Sequence, residues 1–575
     1  MKKLELTDEL KDILSLNIED ISILLIQALA GTGKTTTLLE IIKRNQKFNF
    51  LYLAFNNKIV EDIKKKTSFK EEYKNVFPKT IHAYALLHTR SFFEEKNKNL
   101  ENKLTFDLVS SVLPDAKTFE IYSIIKWFNL YCNQVLDFKE YKQFIKKLSN
   151  KEKFDLQIHE RKDYILSILK KVEILYKKML NGDAKFYTHN LYLKYFIDNM
   201  ESFDYDDLDI LLVDEAQDLN PVMLKLVYIL IKKNKKFIGV GDDNQSIYAF
   251  MNNINLLKEF MNKKDNFDII VKHLSYSFRF KSNSMMENYA NLILDYRGLK
   301  IKGFSTDDNE DIKDTLLLGR SNAQVFWNAY ILASENKHFL LIGGIDKELQ
   351  TFFEDINYII NKQSSKVKSK LLKEFSDGNQ LKAFAQKEND QEILSAMTLL
   401  KKLSDSGIKL FDFFKLIKKF NKNDFYLKAR PNPTYLSTIH KAKGLEFDEV
   451  ELLSKLNDNV SLIGFKYNTT VNGKILLKST PHGQTIEELN LLYVAVTRAK
   501  KSITVCNEEY VVNFKFLKSK MKFSKTIILD DSTLERANSQ YEYLSNEFIP
   551  ISIDNWNFLI NMEEFEKFKE ILKNK

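Results

Sequence analysis

Short apolar runs alternate along this chain with longer amphipathic stretches. Residues 21–28, 50–55, 209–214, 236–242 and 269–274 are β-branched and aliphatic runs bounded by turn-forming or charged residues, a pattern that predicts strands. A second set falls at residues 315–319, 338–343, 435–438, 449–453 and 503–506. Runs apolar throughout, separated by helical periodicity, predict an α/β layout with a mostly parallel sheet. Two sets predict two similar cores. Between them lie stretches of helical pattern without strand signals, at residues 86–185 and 346–430, each read as an insertion into one core. Neither shows a repeat or low-complexity tract.

Composition changes this picture little. The chain has 575 residues, 44% hydrophobic and 29% charged, which excludes disordered and fibrous classes and, at about 150 residues per domain, suggests roughly four domains. Two cysteines, Cys132 and Cys506, supply neither a four-ligand metal site nor a disulfide framework. The first residues are charged rather than signal-like, and the most apolar runs fall short of the ~20 residues of a membrane span, so a cytoplasmic protein with no membrane partner is expected. A net charge of +9 permits nucleic acid or acidic partners without demanding them. Arginine is scarce: nine of the 87 basic residues. A chain that writes Lys almost everywhere has reason to use Arg where a planar, permanently charged fork is needed. Seven lysines against two acids at residues 362–387 fit either a phosphate-facing surface or a solvated helix face.

Two motifs carry chemistry. Ala28-Leu29-Ala30-Gly31-Thr32-Gly33-Lys34-Thr35 follows the first predicted strand and opens a predicted helix at residues 35–43. Phosphate binding needs glycines that let backbone N–H groups approach oxygens, a Lys for the β/γ-phosphates and a hydroxyl for Mg²⁺. Lys34 and Thr35 supply the last two, and residues Ala30 to Thr36 form the candidate ATP cradle, although Ala28 stands where the general pattern has Gly. The second motif, Leu211-Leu212-Val213-Asp214-Glu215-Ala216-Gln217-Asp218, ends a buried run. Asp214 there suits Mg²⁺, and Glu215 suits orienting and deprotonating an attacking water, which favours hydrolysis over transfer.

Gly241-Asp242-Asp243-Asn244-Gln245-Ser246-Ile247-Tyr248-Ala249-Phe250 resembles a segment of superfamily 1 DNA helicases of the UvrD/Rep class. Phe55-Asn56-Asn57, Thr80-Ile81-His82-Ala83, Ser277-Phe278-Arg279-Phe280, Thr438-Ile439-His440-Lys441-Ala442-Lys443-Gly444-Leu445-Glu446-Phe447 and Leu492-Tyr493-Val494-Ala495-Val496-Thr497-Arg498-Ala499-Lys500 follow the family order. Thr188-His189, Ile342-Gly343-Gly344 and Asn490-Leu491-Leu492-Tyr493 make the motor most similar to the F-box DNA helicase branch, with no F-box expected here.

The resemblance implies two RecA-like P-loop NTPase cores, at residues 1–85 plus 186–275 and 276–345 plus 431–523, with ATP and Mg²⁺ between them and a tail at 524–575. It implies that Gln245 senses the γ-phosphate, that Arg279 and Arg498 act as arginine fingers, and that Glu446 links nucleotide to DNA. DNA contacts are expected from Phe55, Thr80, His82, Tyr248, Phe250, Thr438 and His440, the aromatics offering sequence-tolerant stacking. The expected partners are single-stranded DNA and single/double-strand junctions, with movement 3′ to 5′ and a protein partner left open. A translocase that clears proteins without unwinding, and an ATP-gated subunit of a larger complex, are the other readings. Three departures stand out. Leu10 occupies the place of the family's adenine-reading Gln, Met251-Asn252 replaces Arg-Gly, and the second insertion is short.

Overall fold

The computed structural model describes residues 7–54, 57–67, 71–96, 98–148, 161–219, 221–247, 260, 267–294, 298–305, 313–387, 390–428, 430–453, 468–471, 474–477, 485–505, 526–529, 548–553 and 556–561. The chain divides into two compact units, Met1–Ser275 and Tyr276–Lys575.

In the first unit, six strands form one parallel sheet: β1 (Ile23–Ala28), β2 (Phe50–Ala54), β3 (Val76–Thr80), β6 (Ile210–Val213), β7 (Lys236–Gly241) and β8 (Ile269–Leu274), in the order β3-β2-β6-β7-β1-β8. Between β3 and β6, a short parallel pair forms from β4 (Asn99–Glu101) and β5 (Phe186–Thr188). Period-two alternation sorts the central strands onto two faces. Ile23, Leu25, Leu51, Leu53, Leu211 and Val213 enter one apolar cluster together with the helices Thr118–Cys132 and Lys162–Asn181. Leu24, Ile26, Phe50, Tyr52, Ile210 and Leu212 enter another, beneath the helix Lys34–Arg44. Both faces are covered, which is why these strands read as continuous apolar runs. The described residues within 86–185 are mainly helical, with β4 as their one strand, and they share an apolar core with the sheet face they cover.

Strand β3 has no counterpart in the sequence reading. Its Val76-Phe77-Pro78-Lys79-Thr80 contains a proline, which demotes a run as strand; β3 lies at the sheet edge, where the missing N–H is tolerated.

The second unit holds a five-stranded parallel sheet in the order β12-β13-β11-β14-β17, made of β11 (Thr315–Gly319), β12 (Phe339–Leu341), β13 (Thr434–Thr438), β14 (Phe447–Leu452) and β17 (Ala499–Val505). A two-stranded parallel pair precedes it, β9 (Tyr276–Ser277) with β10 (Lys302–Gly303). The stretch from 346 to 430 is helical in its described residues and packs Phe353, Ile356, Leu399 and Phe414 against Leu317, Leu341 and Leu436 of the sheet. An antiparallel hairpin, β15 (Asn468–Val471) with β16 (Lys474–Leu477), and a three-stranded antiparallel sheet of β18 (Thr526–Leu529), β19 (Phe548–Ile553) and β20 (Trp556–Asn561) complete the described strands. That last sheet falls in the tail from which the sequence yields no motif.

Candidate functional site

The carboxyl ends of parallel strands are where an open α/β sheet binds ligands, and three carboxyl ends of the first sheet supply the candidate site. After β1 the loop turns on Gly31 (φ 72°) and Gly33 (φ 85°), left-handed angles that a Cβ would strain. Thr32 Oγ1 donates to the Leu29 carbonyl at 2.8 Å and ties the loop to the strand end. Gly33 precedes the helix Lys34–Arg44 without a side-chain cap, so the first-turn N–H groups head toward the loop as an anion cradle. Ala30 is buried at its base and Thr36 is half-buried on the first turn.

After β6, Asp214 meets that helix. Thr35 Oγ1 donates to Asp214 Oδ2 at 2.8 Å, the Tyr52 hydroxyl donates to the same oxygen at 2.7 Å, and the Glu215 N–H donates to Oδ1 at 2.9 Å. Burial, then the neighbouring Glu215 charge, push the Asp214 carboxyl above its ordinary value against the pull of Tyr52, Lys34 and Thr35. Glu215 stands at φ 54°, a left-handed angle unusual outside glycine and of the kind that clusters at functional sites. Its carboxylate lies 3.6 Å from Lys34 Nζ and accepts from Gln217 Nε2 at 2.7 Å.

After β7, Asp242 accepts from Gln245 Nε2 at 2.7 Å and from Asn244 Nδ2 at 2.8 Å, while its own N–H donates to Gln217 Oε1 at 2.9 Å. Burial raises the Asp242 carboxyl as well, with Lys34 the main opposing influence. A Cβ on Gly241 would stand 2.5 Å from Gln217 Oε1, so glycine here lets the two segments approach. Thr35, Asp214, Glu215 and Gln245 are thus brought together by hydrogen bonds through Asp214, Gln217 and Asp242, and Lys34 joins them through its ion pair with Glu215.

Mg²⁺ takes hard oxygen donors and keeps several waters. The Thr35 hydroxyl and Asp214 carboxylate, 2.8 Å apart at the head of a phosphate-type loop, fit that preference, and a buried carboxyl whose ionisation is opposed by burial is one that a cation favours.

Three members were not singled out from sequence as site residues. Gln217 and Asp242 lie inside runs already quoted, so a signal existed. Tyr52 offered none, being one aromatic within an apolar run.

The remaining predicted nucleotide-side residues cluster in the second unit. Arg279 pairs with Glu446 at 2.6 Å and also donates to the Thr497 carbonyl. Burial alone would raise the Glu446 carboxyl, but Arg279, with Lys500 and Arg498, holds it below the usual value. Arg498 is 1% exposed, and its fork donates to the Val494 carbonyl at 2.9 Å, the Leu445 carbonyl at 3.0 Å and Thr497 Oγ1 at 3.2 Å. Glu446 precedes β14 and Arg498 precedes β17, at the amino ends of parallel strands. Thr438 ends β13 and His440 follows it, at the carboxyl edge. The second sheet therefore separates these two sets of residues to opposite edges.

Of the residues expected at DNA, Phe55, Tyr248 and Phe250 lie outside the described residues. Thr80 and Thr438 each end a strand and cap the next helix, accepting from the N–H groups of Ala83 at 3.1 Å and Lys441 at 3.4 Å. Their hydroxyls therefore have a structural use before any ligand is considered. His82 faces His189 and Tyr192, with ring centroids 6.1 and 6.2 Å apart and edge-on. Leu10 is buried with Ile13 and Leu14 in the core, and Glu9 accepts from Ser275 N–H at 2.7 Å.

Comparison with known proteins gives the same direction. Residues 16–267 match the UvrD/REP helicase N-terminal domain. F-box DNA helicase 1 of Gallus gallus is 26% identical over 537 residues, which cover 88% of this chain and 49% of that protein. F-box DNA helicase protein 1 of Schizosaccharomyces pombe is 25% identical over 574 residues, covering 92% of this chain and 60% of that protein. The chain thus spans about half of the first and 60% of the second. A shorter stretch of 143 residues is 30% identical to the ATP-dependent DNA helicase Rep of Buchnera aphidicola subsp. Baizongia pistaciae, covering 22% of this chain and 21% of that protein. No helix among the described residues is long and apolar enough to cross a membrane. Residues 16–267, which hold the phosphate-type loop and the paired acids Asp214-Glu215, are thus similar to the UvrD/REP helicase N-terminal domain, and most of the chain is similar to F-box DNA helicases.

Proposed function

We propose that this chain is an ATP-hydrolysing motor that moves 3′ to 5′ on single-stranded DNA and unwinds duplex, built on two RecA-like cores with the domain limits given above. The observation that carries the reading is the joining of Lys34, Thr35, Asp214, Glu215 and Gln245 by hydrogen bonds and the Lys34–Glu215 ion pair at the carboxyl edge of the first sheet.

In this reading Ala30 to Thr36 hold the ATP phosphates through backbone N–H groups, and Lys34 adds charge at the β/γ-phosphates. Thr35 and Asp214 would hold Mg²⁺, which supplies charge neutralisation to the phosphates. Glu215 takes the proton of the attacking water, released from its present pairing with Lys34 when phosphate competes for that ammonium. Gln245 reports the γ-phosphate through Asp242 and Gln217. Arg279 and Arg498 stabilise the transferring phosphoryl, for which a fork suits better than an ammonium, and Glu446 sets the position of Arg279. DNA is held by the stacking and polar contacts of Phe55, Thr80, His82, Tyr248, Phe250, Thr438 and His440, with binding sequence-tolerant and weakened by salt.

The test is ATP-dependent opening of matched duplexes with a 3′ or a 5′ single-stranded overhang. Opening from the 3′ overhang, lost in Glu215→Gln together with at least ~10²-fold of turnover while ATP binding persists, supports the reading. Opening only from the 5′ side overturns the polarity. ATPase stimulated by single strands with no opening from either side replaces unwinding by protein-clearing translocation, and no turnover with DNA leaves an ATP-gated binding subunit.

A further inference from the structure

The hydroxyl of Tyr52 comes from a place where the fold gives it little reason to be. Strand β2 is buried at every position, Phe50 to Ala54, and Tyr52 pairs in register with Leu212 of β6. Its side chain lies on the face that packs Ile26, Leu38 and Ile42 beneath the helix Lys34–Arg44. Phenylalanine would fill that space without a hydroxyl to satisfy. Burying an unpaired hydroxyl is costly, so a tyrosine here requires a fixed partner. That partner is Asp214 Oδ2 at 2.7 Å, and both residues are almost wholly buried.

Asp214 Oδ2 receives two hydroxyls from different places in the fold. Thr35 stands on the first turn after the phosphate-type loop, where its hydroxyl oxygen has lone pairs left to offer a cation. The Tyr52 oxygen is carried on a rigid ring locked in a parallel strand. Oδ1 is meanwhile fixed by the adjacent Glu215 N–H at 2.9 Å. Should the Thr35 oxygen turn its lone pairs to a cation, Tyr52 is the donor that can stay, keeping the carboxylate plane in one orientation.

We propose that Tyr52 is a positioning residue for the Mg²⁺-binding carboxylate of Asp214, acting from strand β2 through its hydroxyl. The inference rests on the reading of Thr35 and Asp214 as the cation-holding pair. It concerns the coupling between metal and nucleotide, since outer hydrogen bonds of this kind typically change metal affinity by ~10–100-fold.

The experiment compares wild type with Tyr52→Phe in the full chain, measuring affinity for fluorescent N-methylanthraniloyl-ADP in EDTA and in saturating Mg²⁺. Affinity in EDTA is expected to change less than about twofold, and the strengthening produced by Mg²⁺ to fall about tenfold or more. Binding of Mn²⁺ to the protein–ADP complex, read by electron paramagnetic resonance, should weaken in parallel. Thermal unfolding without nucleotide shows whether the variant folds; if Phe does not fold, Tyr52→Met supplies a second apolar replacement. Unchanged Mg²⁺ strengthening in a folded variant overturns the inference, and so does an equal loss of affinity in EDTA, which marks a structural role. If wild type itself binds ADP equally with and without Mg²⁺, the cation-holding pair fails, and the inference falls with it.

Discussion

Gln217 holds Glu215 by a 2.7 Å hydrogen bond from Nε2 to Oε2, and the other end of the same carboxamide accepts the Asp242 N–H at 2.9 Å. One buried side chain therefore ties the segment after β6 to the segment after β7, where Asp242 in turn holds Gln245. A carboxamide suits because it donates at one end and accepts at the other. Gln217→Leu removes a hydrogen bond to a charged group and leaves a buried N–H unpaired; turnover should fall about tenfold or more, each 1.4 kcal/mol being a factor of ten. Gln217→Glu keeps the acceptor but places a second carboxylate against Glu215. Like charge raises a carboxyl pKa, so the acid limb of its rate–pH profile should move to higher pH. Gly241→Ala should resemble Gln217→Leu, since its Cβ would press on Gln217 Oε1. Steady-state kinetics across pH checks all three.

Arginine is used sparingly in this chain, and Arg498 shows one reason. Each of its three guanidinium nitrogens donates to a protein oxygen in a site 1% exposed. An ammonium cannot reproduce that fork. Arg498→Lys should therefore cripple hydrolysis, leave single-stranded DNA binding in place, and lower the melting temperature by several degrees. Arg279→Lys retains a charge that can still pair with the partly exposed Glu446, although Arg279 itself is largely buried, so it should lose turnover with a smaller change in melting than Arg498→Lys. Full activity in either lysine variant would remove that arginine from the reaction.

Leu10 replaces a polar base-reading residue in the sequence comparison, and its side chain is packed in the core beside Ile13 and Leu14. The adjoining Glu9 is bonded to Ser275 through both carboxylate oxygens. With no amide at that position to donate and accept at a base edge, turnover with ATP, GTP, CTP and UTP should lie within about tenfold. Leu10→Gln should not restore selectivity; burying its amide should destabilise the protein by about 1–3 kcal/mol. Strict ATP preference would mean that another residue reads the base.

The parallel strands were legible because burial on both faces leaves unbroken apolar runs, as in Ile23–Ala28 and Thr315–Gly319. Val76–Thr80 was not, since Pro78 is acceptable only at an edge, and edges are assigned by pairing rather than by local pattern. Lys34, Thr35, Asp214 and Glu215 were legible because each chemistry fixes a residue type next to a strand end. Tyr52 was hidden because its meaning depends on Asp214, 162 residues away. The capping use of Thr80 and Thr438 was hidden for a related reason: a threonine before a helix is equally a cap and a ligand contact until geometry is known.

His82 gives a prediction with two separable parts. It lies on the helix Ile81–Glu94 and faces His189 and Tyr192 of the helix His189–Asp198, with His189 Nδ1 and the Tyr192 hydroxyl 2.9 Å apart. Burial, reinforced by the charge of His189, lowers the His82 pKa from 6.5 to about 4. Between those values the unfolded chain binds the proton and the folded chain does not. Stability from this residue is therefore complete above about pH 6.5 and is lost as pH falls toward 4, by at most ~3 kcal/mol. The acid decline in melting temperature between pH 7 and 4 should be shallower in His82→Gln, and an equal slope would show that other groups carry it. At pH 7.5 His82 is neutral, so any hold it has on DNA is by hydrogen bonding or stacking rather than charge. His82→Ala should weaken single-stranded DNA binding while leaving the slope of log affinity against log salt unchanged, because no counterion is displaced by a neutral ring. A fall in that slope by about one would instead identify His82 as a cation at the phosphate backbone, and unchanged affinity would remove it from the DNA path.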